Sequence, residues 1–170
     1  MEETDAIRNE LQCRLSIDDI RSLAGRMPTE VLFEAIYDSD SQVARNAAWV
    51  LTHKPKSAIA HIPQERLIDY ALTTPDSSLR RLTLSLIERQ GIAQEDIRTD
   101  FLDFCLGHMV MLEEPTGVQS LCMKLAHNMC SHFPELEHEF RQTLGLMHSE
   151  HYKPGLKHLI KKFNKEPNHE

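Results

Sequence analysis

The chain has 170 residues, of which 41% are apolar, and a formal charge of −7. That length and apolar fraction suffice for one buried core, while the acidic balance argues against a general nucleic-acid binder and leaves room for a local basic face. The opening MEETDAIRNE lacks the basic and apolar regions of a secretory leader, and no apolar run is long enough to span a bilayer, so a cytoplasmic setting is expected.

In chain order, Thr4 to Arg14 reads as a short amphipathic helix with Ile7, Leu11 and Leu15 on one side, serving as an end cap. Ser16 starts a second helix. With Asp19 three residues on it resembles a capping box, and Ile17, Ile20, Leu23 and Ala24 supply the apolar face until Gly25 and Pro28 end it. From Pro28 the chain reads as paired helices. The first pair is Thr29 to Tyr37, with Val31, Leu32, Ala35 and Ile36 inward, and a helix capped by Asp40 that Lys54-Pro55 closes. The second runs from Pro63 to Thr73, with Leu67, Ile68, Ala71 and Leu72 apolar, and from Pro75 to Gln90, ended by Gly91. The third begins near Gln94 with a longer first helix carrying Ile97, Phe101, Leu102, Phe104, Cys105 and Met109, and continues after Pro115 to Ser131. The last covers Pro134 to His148 and Lys153 to Phe163, before a tail expected to fray. Prolines fall where the periodicity starts a helix, where a missing N–H costs nothing. No sustained alternation of period two suggests a strand.

Within this series one unit recurs. DSDSQVARNAAWVLTH carries an apolar stripe at Val43, Ala47, Val50 and Leu51; TPDSSLRRLTLSLIERQ repeats it with Leu79, Thr83, Leu86 and Ile87; EPTGVQSLCMKLAHNM repeats it with Val118, Cys122, Leu125 and Ala126. The spacing is 36 positions from Val43 to Leu79 and 39 from Leu79 to Val118, a period that signals stacked supersecondary units.

These residues resemble the second half of a HEAT repeat, an Asp-rich turn followed by Val-Arg, alanines and a closing Leu. Arg80 occupies the family's arginine slot, Ala44 stands there in the first copy with Arg45 after it, and the third copy has Gln119 there and Glu114 for an Asp. The resemblance implies an all-α fold, a right-handed α-α superhelix of about four helix pairs, with second helices lining a concave face. One solenoid domain over 1–165 is expected, with capping helices in 1–27, helix pairs in 28–165 and a frayed tail at 166–170.

Stacking the second helices in register would align Arg45 with Arg81 and Ser120, Trp49 with Ser85 and Lys124, and Thr52 with Glu88 and His127, all away from the apolar stripe. Trp49, the only tryptophan, and the flanking arginines are residue types enriched at binding hot spots. The expected function is a non-catalytic scaffold gripping a protein or peptide through Arg45, Trp49, Arg81, Glu88, Lys124 and His127. The competing reading packs Trp49 against a neighbouring helix and turns the arginines onto turn carboxylates such as Asp38 and Asp76.

Other chemistry is less well supported. Lys153, Lys157, Lys161, Lys162 and Lys165 make the last helix basic, which suits nucleic-acid phosphates, an acidic partner or the solvated outer face of an end cap. Eight of the ten histidines lie from His108 onward, and Cys105 with His108 and His127 with Cys130 share helix faces, yet no closely spaced four-ligand set exists; no metal or cofactor is expected. The four cysteines, Cys13, Cys105, Cys122 and Cys130, sit among helical apolar positions and read as small buried hydrophobes. No phosphate-cradling glycine loop or nucleophile elbow occurs. The alternative to a scaffold is a DNA-binding or repair protein similar to the alkylpurine glycosylases of this fold, for which Glu88 would be the carboxylate.

Overall fold

The computed structural model describes residues 2–166, so the expected tail lies, beyond Glu166, outside the described residues. Eleven α-helices and two short 3-10 turns are found among them, and no strand. No helix among them is long and apolar enough to cross a membrane. The chain folds as two compact units, 1–90 and 91–170.

The first unit holds α1 (Glu2–Gln12), α2 (Ile17–Arg26), α3 (Thr29–Ala35), α4 (Ser41–Thr52), α5 (Lys56–Ile59), α6 (Gln64–Thr73) and α7 (Ser77–Gln90). Ser16 and Asp19 form the expected capping box, each accepting the other's backbone N–H. Asp40 caps α4 by accepting from the Gln42 N–H at 2.8 Å, and Asp76 accepts from Ser78 and Leu79 at the start of α7. The residue two before each cap repeats a role as well: Asp38 accepts the Asp40 N–H and Thr74 accepts the Asp76 N–H. Gly91 ends α7 with φ 77, a left-handed conformation that glycine adopts without a steric penalty. The apolar stripes of α4 and α7 are fully inside, with Val43, Ala47, Val50, Leu51, Leu79, Leu86 and Ile87 buried. Burying Thr83 in that stripe is tolerated because its hydroxyl donates to the Leu79 carbonyl at 2.7 Å.

The second unit holds α8 (Thr99–Val110), α9 (Thr116–Cys130), α10 (Pro134–Gly145) and α11 (Pro154–Lys165). Phe101, Cys105 and Met109 of α8 and Val118, Cys122, Leu125 and Met129 of α9 are buried, and α9 packs against α8, α10 and α11. Burial pushes the Cys130 thiol up to about 12 and that of Cys105 well above its ordinary value, so both behave as apolar filler.

Several expectations are corrected. The third pair does not start as one long helix near Gln94: a 3-10 turn spans Gln94–Asp96, Ile97 and Arg98 are extended, and the Asp100 carboxylate bonds both Arg98 and the Phe101 N–H, so α8 begins at Thr99. At 12 residues α8 is still longer than α3 and α6, with 7 and 10. The run to His148 stops at Gly145, before a 3-10 turn. Cys13 is exposed, unlike its three buried counterparts, and Ile17 stays 40% exposed because it sits in the first turn of α2, ahead of the face that packs. The small helix α5 was not anticipated; Pro55 starts it and Ile59 anchors it.

A common device closes the helix ends. Helices leave their last carbonyls without intrahelical partners, and here a side chain from a neighbouring helix reaches them. Asn46 donates to Leu11 and Cys13 at the end of α1, and buried Lys54 donates to Ala24 near the end of α2. Arg89 donates to Thr52, the last residue of α4, and to Lys54 beyond it, each at 2.7 Å. Arg80, in the arginine slot, donates to Ala71 and Thr74 at the end of α6. Gln119, in the same slot of the third copy, donates to Met111 just beyond α8 at 2.6 Å, so the substitution keeps the function of the slot. Replacing Gln119 by leucine should lower stability by about 1–2 kcal/mol in urea unfolding, the scale of one lost hydrogen bond with its desolvated carbonyl. Arg80→Gln, which retains a donor, should cost less than Arg80→Leu; equal losses would contradict the shared role.

Candidate functional site

The face formed by α4 and α7 in the first unit is where four of the sequence-predicted residues lie. The two helices pack directly on each other. Their apolar stripes point into the core, which leaves Arg45, Trp49, Arg81 and Glu88 on or near the surface. Trp49 is half-buried. Its ring meets His53 edge-on with centroids 6.3 Å apart, and its indole N–H has no hydrogen-bond partner among the described residues while also not being sealed from solvent. A ring held on one side with a wet polar edge is an arrangement that suits an amphipathic contact.

The arginines divide their roles. Arg45 reaches from α4 to the cap of α7, with Nη2 2.7 Å and Nε 2.9 Å from the Asp76 Oδ2. Burial raises the Asp76 pKa, but the Arg45 bond and the Leu79 and Ser78 amides outweigh it and hold the carboxyl below its ordinary value. Arg8 makes the matching link from α1, with Nε 2.8 Å from Asp38 Oδ2 and Nη2 3.2 Å from Oδ1. Both turn carboxylates named from the sequence are therefore engaged by arginine, Asp76 by Arg45 and Asp38 by Arg8. Arg81 and Glu88 are exposed and make no ion pair or hydrogen bond among the described residues.

In the second unit the aligned positions differ. Lys124 is exposed on α9. The Ser120 hydroxyl donates to Thr116 within its own helix. His127 turns into the junction of α9 with α10 and α11, stacked on Phe163 at 4.4 Å, edge-on to Phe140 at 5.4 Å, and 2.9 Å from a Glu166 oxygen. Arg141 borders the same junction, bonded to the Phe163 carbonyl and 3.8 Å from Glu137. His127 thus serves the packing of this corner. No group of His, Cys, Asp and Glu able to hold a metal ion occurs among the described residues.

A second feature of the first unit was not foreseen. Between α1 and α3 lies a cleft of about 470 Å³ with an apolar wall of Ile7, Val31 and Ala35 and a rim of Glu30, Glu34 and Asp38. The periodicity counted Ile7, Val31 and Ala35 as inward residues, yet all three are only half-buried. A smaller cleft of about 260 Å³ lies on the other flank of α3, against α6, and shares Glu30 and Glu34. There Arg66 bonds Glu34 at 2.8 Å and lies over the rings of Phe33 and Tyr37. The signal available in the sequence was the shortness of the segment between Pro28 and Asp38, which is too brief to cover both neighbours.

The fold and repeat geometry define an α-α repeat protein. A family model described as a HEAT repeat domain matches residues 7–166, and the chain belongs to that family. No curated protein and no solved structure matches it. HEAT repeats are in general scaffolds for protein interaction, and the family is typically non-catalytic.

Burial is the largest influence on the His127 pKa and lowers it; Glu166 and Glu137 pull it up, Arg141 pushes it down, and the net effect is a lowered value. An unfolded histidine, near 6.5, then takes up its proton first as pH falls, so the unfolded state gains. Stability of the second unit should decline as pH drops through about 6.5 and level off below the folded pKa. His127→Gln should flatten that dependence in thermal melts between about pH 7 and 5; an unchanged slope would contradict it.

Proposed function

We propose that this chain is a non-catalytic binding module that holds a protein or peptide on the α4/α7 face, with Trp49 as anchor. The observation that carries the reading is the position of Trp49: the single tryptophan stands half-buried on a second helix with its N–H open to solvent instead of closing into the core. Arg81 and Glu88, on α7 which packs against α4, are uncommitted charges of both signs, suited to setting the register of a partner, while Arg45 contributes mainly by fixing the turn at Asp76. Lys124 offers an exposed cation in the second unit, and His127 acts there by holding the helix that carries it. General family behaviour supports the scaffold reading.

Binding energy at such faces concentrates in a few aromatic and arginine anchors. Trp49→Ala should therefore weaken capture of the partner from lysate by at least about tenfold, and Arg81→Glu should reduce it further at low salt than at high salt. Both variants should keep wild-type helicity by circular dichroism, and retention should be indifferent to nuclease. Loss of folding in Trp49→Ala would assign the residue to the core, and nuclease-sensitive retention would assign the face to nucleic acid.

A further inference from the structure

The last helix, α11, carries cations that the rest of the chain leaves without counter-ions. The sequence holds 26 carboxylates against 19 lysines and arginines, and surface arginines elsewhere draw on that excess. Arg8 pairs with Asp38, Arg26 with Glu10, Arg45 with Asp76 and Arg66 with Glu34. The side chains of Lys153, Lys157, Lys161, Lys162 and Lys165 make no ion pair or hydrogen bond among the described residues; Lys162 alone of them lies over a ring, that of Phe163, at 5.9 Å. The elements packed on α11 are α9, α10 and the 3-10 turn at Ser149–His151. Of these, α9 has no carboxylate. Glu135, Glu137 and Glu139 of α10 and Glu150 of the turn form no ion pair with the lysines, and Glu137 is engaged by Arg141. Glu166, which follows the helix, is engaged by His127.

The lysines are also ordered. Leu156, Leu159, Ile160 and Phe163 are buried and occupy one side of the helix. At about 100° per residue, Lys157, Lys161 and Lys165 fall away from that side in a row with steps of four residues, about 6 Å apart along the axis, and Lys153 precedes them at the N-cap. Lys153, Lys161, Lys162 and Lys165 are exposed and Lys157 is half-buried. Like charges four residues apart repel, and cations in the first turn oppose the positive end of the helix dipole. Attraction to the negative end accounts for Lys162 and Lys165 but not for Lys153 and Lys157. An anion laid along the row relieves both repulsions.

Length and surroundings choose among anions. The four apolar side chains of α11 are already buried, so the helix cannot insert into a bilayer without leaving its own core. With 12 residues it is about 18 Å long. Beyond it lies the surface of a chain with a formal charge of −7, which repels a polyanion that overruns the row, as a nucleic acid does. A short acidic peptide ends where the cations end. In an extended peptide alternate side chains project to the same side about 7 Å apart, close to the step of the row. We infer that the outer face of α11 is a second docking surface, which takes a short extended acidic segment of a partner protein, its alternate carboxylates meeting Lys157, Lys161 and Lys165. This surface lies in the second unit, shares none of Trp49, Arg81 or Glu88 and does not depend on the α4/α7 face being used.

The test is fluorescence anisotropy of the full chain with a dye-labelled peptide of alternating glutamate and threonine, about six residues long, beside its lysine and threonine counterpart and a DNA single strand of the same formal charge as the glutamate peptide. The glutamate peptide should bind saturably and more weakly as salt rises. Its Kd should rise about tenfold or more in Lys157→Glu/Lys161→Glu and about threefold or more in Lys161→Glu alone. Lys56→Glu, at an exposed lysine of α5, makes the same change in net charge as Lys161→Glu and should leave the Kd within about twofold. Trp49→Ala should leave it unchanged, so failure here and failure of the α4/α7 reading are separate results. Absence of saturable binding, equal binding of the two peptides, or equal losses in Lys56→Glu and Lys161→Glu would overturn the inference. So would a DNA strand bound more tightly than the glutamate peptide and released by Lys161→Glu, which would assign the row to nucleic acid. Lys161 is exposed, so the single variant decides the matter even where the double one does not fold.

Discussion

The requirement on which both units depend is that every packed helix end must find donors for its last carbonyls. Where helices stack, the chain answers with polar side chains sent from a neighbouring helix or, for Lys54, from the turn after α4. Asn46, Lys54, Arg80, Arg89, Gln119 and Arg141 each donate to a carbonyl at or beyond the end of another helix. The apolar stripes bring helices together without fixing their axial register, because hydrophobic contact is non-directional. A hydrogen bond to one particular carbonyl does fix it. Arg89 shows the effect: one guanidinium holds both Thr52 and Lys54, so the last turn of α7 sets where α4 stops.

This requirement also sorts the polar residues into two groups. Arg45, Arg80 and Arg89 on α4 and α7 are occupied by turns and helix ends, and so is Arg8. What remains on that face is Trp49, Arg81 and Glu88. The candidate contact surface is thus what is left when structural duties are subtracted. The same subtraction in the second unit removes His127, which is half-buried and engaged by Phe140, Phe163 and Glu166, and leaves Lys124.

Much of the fold was legible because it rests on local signals. Ser16 with Asp19, Asp40 and the prolines each mark a helix start through backbone geometry that neighbouring residues alone decide. Stripes such as Val43, Ala47, Val50 and Leu51 are likewise complete in one helix. The missed features are those that need two distant segments. Helical periodicity places Val31 and Ala35 on an inward face, but whether anything covers that face depends on where α1 is tethered, which Asn46 and Asp38 decide. His127 belongs to a surface column in the sequence, and its contacts with Phe140 of α10 and Phe163 of α11 come from segments distant along the chain. Arg45 beside Asp76 was one of two readings, and choosing it required the relative placement of two repeats. The late start of α8 was hidden because Asp100, acting with Arg98, resets a helix that apolar spacing alone would extend.

The central claim is that the α4/α7 face meets the partner, and contact can be recorded directly by placing the photo-crosslinker benzoyl-phenylalanine at position 81 and, as a comparison, at the exposed position 18 on α2. Irradiation in native lysate, followed by mass spectrometry, should give one protein joined from position 81, absent from position 18 and lost when Trp49→Ala is introduced alongside. Equal crosslinking from both positions, or crosslinking from position 81 that survives Trp49→Ala, would contradict the assignment of this face.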